Sequence, residues 1–228
     1  MSREWFEKVS SKAFEITAFT IFGFLFVAKP TTLIPTLILL IGSIVVMFHD
    51  DSRRRFFQVF TASPYKCMAF AMLAWFCVAL SLELIHQSQE NFYFPDNALR
   101  MIMALTLLTM VTRPSAQKWL LGGVIVAGMA AAYWALLALP WSVGSRVQGT
   151  TNNAIHFGNL SAVVMVLSLT AALLGSDISS KVRLLLFIAG VGGLIGAISS
   201  LSRSSFMVLL CLLPLCFFKA NARSVKWL

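Results

Sequence analysis

Long uncharged apolar runs, following one another with only short polar segments between them, constrain this chain more than any single motif. An apolar helix crosses the hydrocarbon of a bilayer in about 20 residues, with a range of roughly 17 to 25. Eight runs meet or approach that length: Ala13 to Ala28, Thr31 to Phe48, Lys66 to Ile85, Asn97 to Val111, Trp119 to Leu139, Ile155 to Gly175, Val182 to Ser199 and Ser204 to Phe218. The fourth and eighth are short. Pro30, Pro64, Pro95, Pro114 and Pro140 fall between runs, where helix breakers belong, while Pro35 and Pro214 lie inside or near run ends. The sequence therefore predicts an all-α fold, a polytopic membrane helix bundle of about eight spans forming a single transmembrane domain over residues 1–228.

Composition removes the soluble alternatives. Of 228 residues, 58% are hydrophobic and 12% charged, and the mean hydropathy is +0.82. That is too little polar surface to clothe a soluble domain, which excludes a soluble enzyme, a disordered linker and a repeat solenoid. The net charge of +9 does not indicate nucleic acid, because the basic residues lie in short segments between apolar runs instead of on one face. Cys67, Cys77, Cys211 and Cys216 sit in or at the edge of apolar runs without metal-ligand spacing, so they read as packing residues and no metal site is expected. The segment Met1 to Lys12 is polar and mixed in charge, so the first run reads as a retained span and not as a cleaved leader.

Orientation follows from the basic residues, which accumulate on the cytoplasmic side. With the N-terminus cytoplasmic, all but four of the 18 Lys and Arg fall inside; the exceptions are Lys29, Arg100, Arg146 and Arg203. The outer segment from His86 to Asn97 has no basic residue and carries Glu90 and Asp96. The seventh run holds Gly190, Gly192, Gly193 and Gly196, and the spacing of Gly192 and Gly196 lets two membrane helices approach closely, here read as packing within one bundle.

In such a topology the outward arginines are the informative exceptions. Arg146 lies in the outer loop Pro140 to Asn153, Arg203 in the turn Ser200-Leu201-Ser202-Arg203-Ser204-Ser205, and Arg100 about one turn inside the fourth span. The fourth, sixth and eighth spans run inward, so their N-termini, with spare N–H groups and positive dipole ends, face outward beside these arginines. That combination suits an anion, and phosphate above all. For Arg100 a pairing with Glu83 or Asp96, or snorkelling to lipid phosphate, competes equally with a role in the site. Asn153 is placed to cap the sixth span, and His156 and Asn159 fall three apart on it. His156 reads as a hydrogen-bonding partner of a neighbouring helix ahead of a proton carrier.

The order Arg-x-x-Gly-x-x-Asn-Asn-x-Ile-x-Phe-Gly-Asn from Arg146 to Asn159, followed by Leu201-Ser202-Arg203-Ser204-Ser205-Phe206, resembles the O-antigen ligase family, which also includes polysaccharide polymerases. The resemblance implies a bacterial inner-membrane glycosyltransferase of about twelve spans. Such an enzyme moves a glycan from undecaprenyl diphosphate to lipid A-core, or to another glycan, on the periplasmic face. It assigns the carrier's diphosphate to Arg146 and Arg203 and calls for no cofactor and no metal; Arg100, Asn153, His156 and Ser202 are candidate supporting positions beside them. The family's acceptor-activating histidine belongs to a large periplasmic loop that none of His49, His86 and His156 occupies. This implies that the chain is the N-terminal part of a longer protein, with that residue beyond Leu228. The expected partners are the lipid-linked glycan, its acceptor and membrane lipids, with no nucleic acid. A polymerase of the same family, a transporter of lipid-linked or anionic molecules and a non-catalytic membrane subunit are the rival readings; a transporter should show broken helices and a polar path at mid-membrane depth.

Overall fold

The structure, a computed structural model, describes residues 12, 15–24, 26, 41, 50–61, 65–86, 114–141, 145–151, 153–175, 178–207 and 209–210. All regular structure among them is helical. The expected fourth span, and all of the second except Ile41, lie outside the described residues, as does Arg100. The chain divides into two compact units, one of residues 1–18 and 36–118, the other of 19–35 and 119–228.

In the first unit, α1 (Asp50–Thr61) and α2 (Tyr65–His86) are neighbours in sequence joined through residues 62–64. Phe60 of α1 meets Phe70 of α2 edge to face, with ring centroids 5.8 Å apart. The segment containing Arg53, Arg54 and Arg55, counted with the loops in the sequence reading, is thus helical. Its Asp50 and Asp51 place negative charge at the positive end of the helix dipole. The backbone of α2 follows the expected third span within one residue at each end.

The second unit contains α3 (Pro114–Leu137) from Trp119 onward, α4 (Ala154–Leu174) and α5 (Ser180–Ser199). Pro114 starts α3, because its missing N–H removes nothing at the first helical position; the helix therefore begins five residues before the apolar run does. Asn153 and Ser179 cap the next two helices: the Asn153 side chain accepts from Ile155 N–H at 2.8 Å and Ser179 Oγ from Val182 N–H at 3.4 Å. Among the described residues, Ser115–Leu137, Ala154–Leu173 and Ser180–Ser199 are long and apolar enough to cross a membrane.

Residue size sorts these helices inside out relative to a soluble bundle. Leu186 apart, the buried face of α5 is made of small residues, Gly190, Gly192, Gly193, Gly196, Ala189, Ala197 and Ser199, while Leu184, Leu185, Phe187, Ile188 and Val191 are exposed. On α3 the buried line is Ala127, Ala131 and Ala135, and Tyr133, Leu136 and Leu137 face out. Large apolar side chains outside and small ones inside suit helices whose surroundings are hydrocarbon, where association rests on close backbone packing and not on hydrophobic burial. The protein is accordingly a helical multi-pass membrane protein.

The expected close approach through glycine occurs within this unit. A Cβ on Gly193 would fall 2.7 Å from the Ser161 carbonyl oxygen and 2.8 Å from Met165 N on α4, and one on Gly192 would overlap the carbonyl of Gly128 on α3. Both α3 and α4 therefore touch α5 at backbone distance. Around this seam Phe26, Val124, Ala127, Ala131, Val147, Phe157 and Val164 form a core, with Phe26 and Phe157 edge to face at 5.2 Å and Trp134 Nε1 donating to Phe26 O at 2.8 Å.

Candidate anion site at one end of the second unit

Two short irregular segments meet where α4 begins and α5 ends. Residues 145–153 lead into α4, and residues 200–202 lead from α5 into a further helix that starts at Arg203. Gly149 has φ 53, and a Cβ there would fall 2.7 Å from the Phe157 ring, so glycine is required on both counts. Leu201 also sits in the left-handed region, at φ 49, which costs a branched side chain on the order of 1 kcal/mol. The bonds Leu201 N–H to Ile198 O at 3.0 Å and Ser202 N–H to Ser200 Oγ at 3.2 Å hold it there.

A direct backbone bond joins the segments: Val147 N–H donates to Ser199 O at 3.3 Å. Side chains add a second tie. Asn159 Oδ1, in the second turn of α4, accepts from Ser204 Oγ at 2.9 Å and lies 3.5 Å from Ser205 Oγ. Ser202 and Ser204 hydroxyls are 2.9 Å apart, and Ser200 and Ser205 hydroxyls 3.3 Å. Gly158 leaves room for this cluster, since a side chain there would collide with Ser200 and Ser205.

These ties place Arg146 one residue from a bond to Ser199 and Arg203 four residues beyond the same serine. Both arginines are exposed and neither has a hydrogen-bond or ion-pair partner among the described residues. Two unpaired guanidiniums on segments bonded to each other can bind an anion in several geometries, including bidentate ones. The supporting positions divide. Asn153 spends its side-chain oxygen on the α4 cap, which also occupies one of the N–H groups expected to face a ligand. Ser202 is buried in the hydroxyl cluster and His156 is exposed, while Asn159, three residues on, turns into the cluster; the two do not share an environment. Thr150 is buried at 4% exposure and its hydroxyl has no partner among the described residues. The backbones of Glu83 and His86 belong to α2 in the other unit, and their side chains lie outside the described residues.

Sequence reasoning missed the Asn159 bridge and the Thr150 hydroxyl. The signal for the first was Gly158-Asn159 facing a serine-rich turn, legible only once α4 and α5 are known to pack side by side. Comparison with protein-family models, with curated proteins and with solved structures gave no match.

Proposed function

We propose that this chain is the diphosphate-binding part of an O-antigen ligase-like glycosyltransferase in a bacterial inner membrane. The reading takes about eight spans, a cytoplasmic N-terminus and a periplasmic working face. The observation that carries it is the pair Arg146 and Arg203, exposed and without a partner among the described residues, on two segments tied by the Val147–Ser199 bond. A lipid diphosphate is the anion this arrangement suits: it lies at the membrane surface, carries adjacent negative groups, and is a leaving group whose charge grows as the anomeric C–O bond breaks. In that step the acceptor hydroxyl oxygen bonds to the anomeric carbon, its proton passes to a base supplied elsewhere in the protein, and the carrier departs as its diphosphate. Arg146 and Arg203 stabilise the developing charge on the departing diphosphate. No metal is needed in this scheme, because the donor is already activated.

A polymerase of the same family uses the same donor and differs in its acceptor, lipid A-core in one case and a growing glycan in the other. Transport is less favoured because α3, α4 and α5 run unbroken through their apolar lengths. The test is to measure binding of a short-chain prenyl diphosphate to the purified chain, and to express the gene in a strain lacking its O-antigen ligase and run its lipopolysaccharide on a gel. Binding that weakens tenfold or more in Arg203→Ala, with a restored long-chain ladder, supports the ligase reading. Binding without a ladder favours the polymerase, and binding that ignores both arginines overturns the site.

A further inference from the structure

We propose that α1 is an interfacial helix whose basic side binds the anionic phospholipid headgroups of the leaflet at which α2 begins. The sequence Asp50-Asp51-Ser52-Arg53-Arg54-Arg55-Phe56-Phe57-Gln58-Val59-Phe60-Thr61 segregates by helical angle. At 100° per residue, positions 56, 57, 59 and 60 fall on one side with Ser52, and 54, 55 and 58 fall on the other with Asp51, so that side holds two arginines against one aspartate. Arg53 lies on the apolar side, where Asp50 Oδ1 meets its guanidinium at 2.7 Å. The Arg54 side chain is exposed.

The apolar side is only partly covered by protein. Phe60 is half-buried against Phe70 of α2, but Phe57 is 62% exposed. Exposed apolar surface continues along α2 through Phe70, Val78 and Ile85. Four Cα steps separate Thr61 from Tyr65, so α1 ends within about 14 Å of the start of α2, the helix that follows the third apolar run. A helix with an aromatic side, a basic side and a short tether to a membrane span lies in the bilayer interface, its rings at the acyl boundary and its arginines among phosphates. Charge selects the lipid, because Arg54 and Arg55 outnumber Asp51 on that side and their net positive charge gains from anionic headgroups what zwitterionic ones do not offer. The inference is independent of glycosyl transfer.

The test uses the whole purified chain in lipid discs of phosphatidylcholine alone and in discs where about a third of the lipid is phosphatidylglycerol. Amide hydrogen exchange over 50–61 is expected to slow roughly tenfold in the anionic discs. The difference should vanish in about 1 M salt and in Arg54→Gln/Arg55→Gln, with exchange in α2 unchanged as the folding control. Should that variant lose protection in α2, the salt comparison on the unsubstituted chain decides alone. Equal exchange in both discs, or slowing that survives high salt, overturns the proposal and points to a protein covering α1.

Discussion

Serine does two different jobs in the two regions of the α4–α5 pair. Midway along the seam, Ser161 and Ser168 are fully buried, and their hydroxyls have no hydrogen-bond partner among the described residues. At the end of the same pair, Ser200, Ser202, Ser204 and Ser205 form a connected set that closes on Asn159. In the seam serine serves for its size, close to that of alanine, and the helices meet because glycine backbones face it. At the end serine serves for its hydroxyl, and the segments meet because bonds link them. One unit is thus held by shape at its middle and by polar bonds at its end, and the two should respond differently to substitution.

The largest effect is expected in the seam. Gly193→Leu must push α5 off α4 at backbone distance, a cost of about 3 kcal/mol or more, read as loss of monodisperse protein in detergent. Next comes Arg203→Ala, which should leave thermal stability unchanged because the side chain is exposed and has no partner among the described residues, while glycan transfer falls on the order of 10²-fold. Asn159→Leu removes the acceptor from Ser204 and Ser205 and should cost about 1–3 kcal/mol in a thermal or denaturant midpoint, with Asn159→Asp recovering most of it. Smallest of all in cost, Ser161→Ala and Ser168→Ala should leave the thermal midpoint unchanged or raise it, because each deletes a buried hydroxyl that has no partner among the described residues. A large loss from Ser168→Ala would collapse the distinction between the two regions.

What the sequence disclosed follows the range of the forces involved. The ends of α2 and α4 lie within one residue of their apolar runs, and α5 begins two residues before its run, at a serine cap. Those boundaries are local, set by hydropathy and capping chemistry. The start of α3 was misplaced because its first turn, Pro-Ser-Ala-Gln-Lys, is polar, and helix α1 was missed because it is too short and too charged to read as a span. Arg146 and Arg203 stood out because a topology that strips positive charge from one side makes its exceptions conspicuous. The Asn159–Ser204 bond joins residues 45 apart in the chain and depends on which faces of α4 and the following turn oppose each other, information that no local pattern carries.

The backbone contacts of Gly192 and Gly193 also make α5 a ruler. A helix seated on two neighbours at such short range cannot slip by one residue, because each step of 1.5 Å comes with a rotation of 100° that would swing Leu194 or Val191 into the gap. The position of Ser199 is therefore graduated from the seam, six residues from Gly193. Through its bond to Val147 and the tight turn after it, the heights of both arginines are read off the same scale. Lengthening α5 by a single residue between Gly196 and Ser199 would leave the seam intact and misregister the arginine-bearing end, so the length of that last turn is fixed even though its side chains are not.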